Sequence, residues 1–358
     1  MVASCEVGRP APAARVHDVG DNRAVAVLGA SGYAGAELLR LLAAHPRFDV
    51  VAVSASSHEG QAVADLYPSL AAAYPTLRYG PTEVATAGGA ELVFCALPHG
   101  ASQKLVPELL GRVGCVVDLG ADFRLRDPSC YPVWYGWEHD NPQLLAEACF
   151  GLPEVARERL GGARLVAVPG CYVTAAALAL APLVNEGAVS PKGIVVDAAS
   201  GVSGAGSQLS ATTHFCSVDG DFHAYGLLNH RHTPEIEQVV GAQVLFTPHL
   251  APMSRGILAT CYARAEPSYG GDPLEVLAKA YAGEPFVAVR ERSPSTKAVL
   301  GSNNAHLTAR RDKRTGWVVS ICAIDNLVKG AAGQALQCAN AVMGWPETLG
   351  LPVAGVSP

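Results

Sequence analysis

The chain has 358 residues, 49% of them hydrophobic and 16% charged, which is ample core material for two domains of ordinary size and too apolar for a disordered chain. A net charge of -6 carries no basic excess, so neither a nucleic acid nor an anionic membrane surface is an expected partner. Ten cysteines without a Cys-x-x-Cys pair read as free thiols of a reducing compartment, the cytoplasm, rather than as a disulfide or zinc framework.

Residues 1–22 hold Glu6, Arg9, Arg15 and Asp18 and no apolar run. They read as a loose extension rather than a secretory signal, with an organelle transit peptide as the alternative. From Arg23 the pattern alternates: strand 24–28, helix 34–44, strand 48–53, strand 92–96, helix 102–110 and strand 115–119. That rhythm predicts a parallel sheet with right-handed crossovers. Residues 128–153, rich in Pro, Trp and Tyr, read as irregular surface. A short strand 165–168 runs into Pro169-Gly170-Cys171, followed by an Ala-rich helix over 175–180. The apolar stretch 172–184 is too short, and too interrupted by Pro182, to span a bilayer. Strands at 193–198, 242–247, 256–263, 287–289, 306–310 and 317–323 predict a second, mostly antiparallel sheet, and a last helix covers 330–343.

The fold class is therefore α/β, with an N-terminal Rossmann parallel sheet and a second α+β domain. The expected division is an extension over 1–22, a dinucleotide-binding domain over 23–170, a catalytic and oligomerisation domain over 171–325, and a C-terminal helix, 326–358, that returns to the first domain.

Two loops carry the chemistry. Gly29-Ala30-Ser31-Gly32-Tyr33-Ala34-Gly35 follows a strand and opens a helix. Its small residues let the backbone approach a pyrophosphate, and the helix start supplies N–H groups and a positive dipole end. The next strand ends in Ser54-Ala55-Ser56-Ser57-His58, where an NAD site usually carries a carboxylate. Hydroxyls and an imidazole suit a 2′-phosphate, so Ser54 and Ser56 point to NADP. Leu97-Pro98-His99-Gly100 closes a later strand over the same crevice; Pro98 is read as lining the cofactor, and His99 as a cofactor neighbour or an ordinary loop residue.

The second loop contains Cys171, alone among the ten cysteines in joining a tight turn to a helix start. A helix N-terminus lowers a thiol pKa, so Cys171 is the expected nucleophile. His230 and His232, just before a helix with Thr233 as N-cap, offer a general acid/base. The competing reading, zinc on His230, His232 and His249, lacks a Cys or carboxylate to complete a ligand set, so no metal is expected. The Gly/Ser loop 197–206, with Ser200 and Gly201, and Asn326 before the last helix are expected to meet the nicotinamide or its carboxamide. Arg124, Arg231 and Arg255 are the guanidinium forks available for phosphate and carboxylate, with Glu235 beside them.

Together these segments resemble the N-acetyl-γ-glutamyl-phosphate reductase family of arginine biosynthesis. The matching pieces are GASGYAGAELLRLL (29–42), ALPHG (96–100), DLGADFRL (118–125), GLPE (151–154), VPGCYVTAA (168–176), SGVSGAG (200–206), HRHTPEI (230–236), PHLAPMSRGIL (248–258), LGSN (300–303) and DNLVKGAAGQA (325–335). They run in the family's order from about residue 24. The resemblance implies NADPH-dependent reduction of an acyl phosphate to a semialdehyde, with Cys171 as nucleophile, a histidine from HRHTPE, and a homo-oligomer, dimer or tetramer. Val173 departs from the family, where many members have proline, but removes no chemical group. The rivals are another thiol-dependent semialdehyde dehydrogenase such as the aspartate enzyme, a Cys/His acyltransferase or hydrolase without hydride chemistry, and a non-catalytic NADP sensor.

Overall fold

A computed structural model describes residues 22–357. Apart from Asn22, the expected N-terminal extension, Cys5 included, lies outside the described residues.

The chain builds two seven-stranded sheets. Strands β1 (Arg23–Leu28), β2 (Phe48–Ser54), β3 (Tyr79–Gly80), β4 (Leu92–Cys95), β5 (Cys115–Asp118), β6 (Cys149–Phe150) and β7 (Leu165–Ala167) form the first. Its order is β3-β2-β1-β4-β5-β7-β6 and every pairing is parallel. β1 lies between β2 and β4, so the strand order reverses there and the loop after β1 opens at the switch point where such sheets bind ligands. β4, β5 and residues 25–28 of β1 are buried, as their runs of Val, Leu and Phe require when both faces are covered.

The second sheet holds β8 (Ile194–Gly201), β9 (His223–Ala224), β10 (Val244–Ala251), β11 (Ile257–Arg264), β12 (Val287–Val289), β13 (Ala305–Asp312) and β14 (Trp317–Ile324), in the order β12-β13-β14-β11-β8-β10-β9. It is mixed and mostly antiparallel, with β8–β10 and β12–β13 parallel. β8, β11 and β14 alternate along most of their length. Val196, Ala198, Ala259, Cys261 and Val318 are buried on one face, while Val195, Leu258, Tyr262, Val319 and Ile321 stay partly exposed on the other.

The covered face meets the helix Cys171–Asn185, which is apolar on nearly every side and correspondingly buried. Pro182 does not interrupt it. A proline inside a helix frees the carbonyl four residues back, and here the Leu178 carbonyl accepts the Tyr281 hydroxyl at 2.7 Å instead. The helix is therefore much longer than the expected 175–180 and starts at Cys171 itself.

Three further expectations change. Residues 128–153 are not irregular surface: short helices Cys130–Trp134 and Pro142–Glu147 flank an aromatic knot in which fully buried Tyr131 donates to the Asp122 carbonyl at 2.6 Å and packs 4.8 Å from the Trp137 ring. The start of the expected 197–206 loop is strand, because β8 pairs on both sides through Ser200. The last helix is preceded by a five-residue π turn, Val328–Ala332, before the α-helix Gly333–Val342. Val328, Ala332, Ala335, Leu336 and Ala339 pack into the core of the first sheet, with Leu38, Leu42 and Phe94.

Candidate active site

The three loop glycines differ in what surrounds them. Gly29 has φ +80°, and a Cβ there would lie 2.5 Å from the Ala96 carbonyl oxygen. Gly35 begins the closely packed part of the helix Tyr33–Ala44, and its Cβ would lie 2.6 Å from Ala30 Cα. Gly32, the N-cap, has open space around it. The outer two thus secure the turn and the helix-to-strand packing, while the middle one leaves backbone N–H groups approachable, the division of labour a dinucleotide pyrophosphate requires. The residues present fit that group: Ser31 and Ala34 are half-buried and Tyr33 is 40% exposed beside the opening.

Ser54 is a correction. Its hydroxyl is fully buried and accepts the Gly29 N–H at 3.1 Å, so it supports the loop from beneath rather than facing a ribose. Ser56 is exposed at the end of β2, and His58 bonds Gln61 at 2.9 Å. Pro98 and His99 lie exposed on the β4 loop, held by Asp122, which accepts the Gly100 N–H at 2.9 Å.

Cys171 sits at the first position of its helix with Gly170 as N-cap. The helix-start N–H groups of Tyr172 and Cys171 and the Arg124 charge favour the thiolate, but burial outweighs them and pushes the thiol up to about 11. The expected lowering by the dipole alone is thereby reversed, and the resting thiol is protonated at neutral pH.

Two histidines stand beside it in different settings. His232 Nε2 lies 2.4 Å from where a Cβ on Gly170 would be, so only glycine lets the imidazole reach the residue before Cys171. Its Nδ1 is sealed from solvent with no partner. Burial, with His230 and Arg124 nearby, holds the ring well below its ordinary pKa, so the imidazole is neutral. His230 packs 4.8 Å from it, and His230 Nδ1 accepts the His232 backbone N–H at 3.2 Å. His249 stacks on Phe222 at 5.1 Å instead of joining them. The helix Thr233–Val240 has His232 rather than Thr233 as its N-cap.

The expected anion-binding residues separate. Arg124 is buried, donating to Glu235 Oε1 at 3.2 Å and to the Leu119 carbonyl at 2.7 Å. Glu235 is fully buried: its Oε2 accepts the Gly170 N–H at 3.1 Å and its Oε1 the Tyr135 hydroxyl at 3.1 Å. It therefore fixes the turn before Cys171 instead of meeting substrate. Arg255 bridges Glu37 on the nucleotide helix at 2.9 Å and Asp325 at 3.7 Å. Arg231 is exposed, lies over the Tyr135 ring at 5.9 Å, and has no carboxylate partner among the described residues. Tyr135 and Tyr225 were missed from sequence; Tyr225 donates to the Tyr172 hydroxyl at 3.2 Å near the thiol.

Ser200, Gly201 and Asn326 are also corrections. Ser200 is buried and bonded to the Gly201 carbonyl at 3.0 Å. A Cβ on Gly201 would lie 2.7 Å from the Arg255 nitrogen. Asn326 accepts the Gly256 N–H at 2.7 Å and donates to Ser203 at 2.9 Å. These residues knit strand ends together.

The family model "Semialdehyde dehydrogenase, NAD binding domain" matches residues 24–163, and "Semialdehyde dehydrogenase, dimerisation domain" matches 171–326. A protein of Symbiobacterium thermophilum described as "N-acetyl-gamma-glutamyl-phosphate reductase" is 48% identical over 92% of this chain and 98% of its own. Proteins of the same description from Moorella thermoacetica (46%; 93% and 99%) and Rhodospirillum rubrum (47%; 91% and 96%) agree. The chain belongs to the N-acetyl-γ-glutamyl-phosphate reductase family. It is an oxidoreductase, and no helix among the described residues is long and apolar enough to cross a membrane. The reductase shares its fold with aspartate semialdehyde dehydrogenase II of Vibrio cholerae, complexed with ASA (TM-score 0.68, 16% identity, 91% and 99% covered). The aspartate semialdehyde dehydrogenase with NADP from Candida albicans is a further fold relative (TM-score 0.61, 14%, 90% and 98%).

Proposed function

We propose that this chain reduces N-acetyl-γ-glutamyl phosphate to N-acetylglutamate 5-semialdehyde and phosphate, with NADPH, through a thioester on Cys171, in arginine biosynthesis. The observation that carries the reading is the junction at Cys171, where a helix start meets a neutral imidazole whose Nε2 reaches the Gly170 turn, with the Arg231 guanidinium close enough to act on that imidazole. NADP is preferred to NAD because no carboxylate stands at the end of β2, where Ser56 is exposed.

His232 takes the Cys171 proton as the sulfur attacks the acyl carbon, and His230 holds His232 in register. The C–O bond to phosphate breaks, and the leaving oxygen takes its electron pair and the proton from His232. Arg231 grips the anion. The nicotinamide, when bound, supplies the hydride that the thioester carbon accepts. Helix-start N–H groups, Tyr172 among them, hold the resulting oxyanion. Collapse to the aldehyde breaks the C–S bond, and the thiolate regains a proton from solvent through His232.

We further propose 23–170 as the cofactor domain, 171–325 as the catalytic domain and 326–358 as a return to the first. The half-bare apolar face carrying Val195, Leu258, Tyr262, Val319 and Ile321 would pack on a second copy of the chain, in the cytoplasm. The test of the mechanism is Cys171→Ala. It should abolish turnover and leave NADPH affinity near the wild-type value; activity like wild type would end the thioester route.

A further inference from the structure

Behind the Cys171 side chain runs the π turn Val328–Ala332. Its N–H groups bond five residues back, Gly330 to the Asp325 carbonyl at 2.9 Å and Ala332 to that of Leu327 at 2.8 Å. A Cβ on Gly330 would lie 2.8 Å from Cys171 Cβ, so the turn is in contact with the nucleophile and only a hydrogen fits between them. π turns are rare and need outside support.

That support is an ion pair. Lys329 is fully buried, and its Nζ donates to Glu154 Oε1 at 2.7 Å and to Gln337 Oε1 at 2.8 Å. Glu154, also fully buried, accepts the Gln337 amide at 3.2 Å. It stands on the short turn Pro153–Ala156, just after Gly151. The Gly151 N–H donates to the carbonyl of Ala167, the last residue of β7, at 2.7 Å, and the Gly151 carbonyl accepts from Gln334 at 2.9 Å. The pair therefore ties together the strand that delivers Cys171 and the turn that backs it. Enclosing two charges is a poor source of stability in itself, and the better-attested use of such pairs is to fix one arrangement.

We propose that Lys329 is a positioning residue for Cys171: its buried pair with Glu154 sets the π turn against the thiol and so fixes the enclosure and alignment of the nucleophile. This rests on the reading of Cys171 as nucleophile.

The experiment uses the full chain, with Lys329→Met/Glu154→Gln as the main variant because it strands no charge. Iodoacetamide labelling of Cys171 is followed against pH by peptide mapping, since Cys130 and Cys216 also reach solvent. Steady-state kinetics run in parallel. Arg124, Glu235, Tyr172 and Tyr225, which face the thiol, are unchanged, as are Tyr281, Cys322 and Cys338 near the pair.

Relaxation of the turn lets more water reach the partly buried Cys171, so the labelling midpoint moves down from about 11. Labelling at pH 8 then rises about threefold or more, half a pKa unit or beyond, while kcat falls about tenfold and KM changes little. Faster labelling with slower turnover supports the proposal. Labelling midpoint and kcat like wild type, with only a lower melting temperature, overturn it, and so does a parallel fall of both rates. Glu154→Gln alone keeps volume and hydrogen bonding and should move both readouts the same way by less; it decides the matter if the double variant does not fold. Turnover by Cys171→Ala would sink the nucleophile reading instead, a result distinct from wild-type-like behaviour of the Lys329 variant.

Discussion

The nucleotide loop and the thiol pocket are both built on a helix start, yet they are assembled in opposite ways. The loop is one continuous stretch, Gly29 to Gly35, whose work is done by backbone N–H groups and by glycines. The pocket is gathered from separate segments: Arg124, Tyr135, the Gly170 turn, Tyr225, the His230–Glu235 run and Gly330. At the loop an open N-terminus attracts an anion. At the pocket the same dipole is overruled, because the segments packed around Cys171 leave it only partly exposed, and that desolvation pushes its thiol up to about 11. A helix start is a binding site or a quiet thiol according to what covers it.

The sharpest way to break this comparison is at the two histidines. His232→Asn should lower kcat by about two to four orders of magnitude, the usual range for a positioned acid/base. His230→Asn should cost only about tenfold, because its ring acts through the His232 backbone. The reverse ranking in steady-state assays would exchange their roles.

The loop offers the next contrast. Gly32→Ala should weaken NADPH binding about tenfold in a fluorescence titration with little change in melting temperature, since nothing of the protein lies within 4 Å of the new methyl. Gly35→Ala should instead cost about 1–3 kcal/mol of stability by crowding Ala30.

The smallest effect concerns His45, the counterpart of His232. Both rings are held neutral, but His45 uses both nitrogens: Nε2 lies 3.0 Å from Asn340 Oδ1, and Nδ1 accepts the Phe48 N–H at 3.0 Å. Burial lowers its pKa from 6.5 to about 4. A depressed folded value means that the unfolded chain binds the proton first as pH falls. The stability His45 contributes is therefore complete above 6.5 and lost on descending towards 4. His45→Gln should flatten the melting-temperature profile across that window. An unchanged profile would place the acid sensitivity elsewhere.

What was legible in the sequence follows the same divide. The parallel sheet, the glycine loop and the place of Cys171 at a helix start are written in local periodicity and spacing. Ser54 misled because a serine at a strand end looks the same whether it faces a ribose or accepts Gly29 N–H from below. Glu235 and Arg124 misled because each is 111 residues from the partner that consumes its charge. Tyr131 was hidden in a Pro- and Trp-rich stretch that follows neither helical nor strand period, although it is fully buried. Burial of this kind is a property of the assembled pocket, which spacing along the chain does not encode.

The central claim is an acyl-enzyme on Cys171 that exchanges with phosphate, and the reverse reaction tests it most directly. Enzyme, N-acetylglutamate 5-semialdehyde and NADP are mixed with and without inorganic phosphate, and formation of NADPH is followed by absorbance. The account predicts NADPH formation that requires phosphate, because phosphate is the acceptor that resolves the thioester. Sustained NADPH formation at the same rate without phosphate, or turnover only with aspartate semialdehyde, would contradict it.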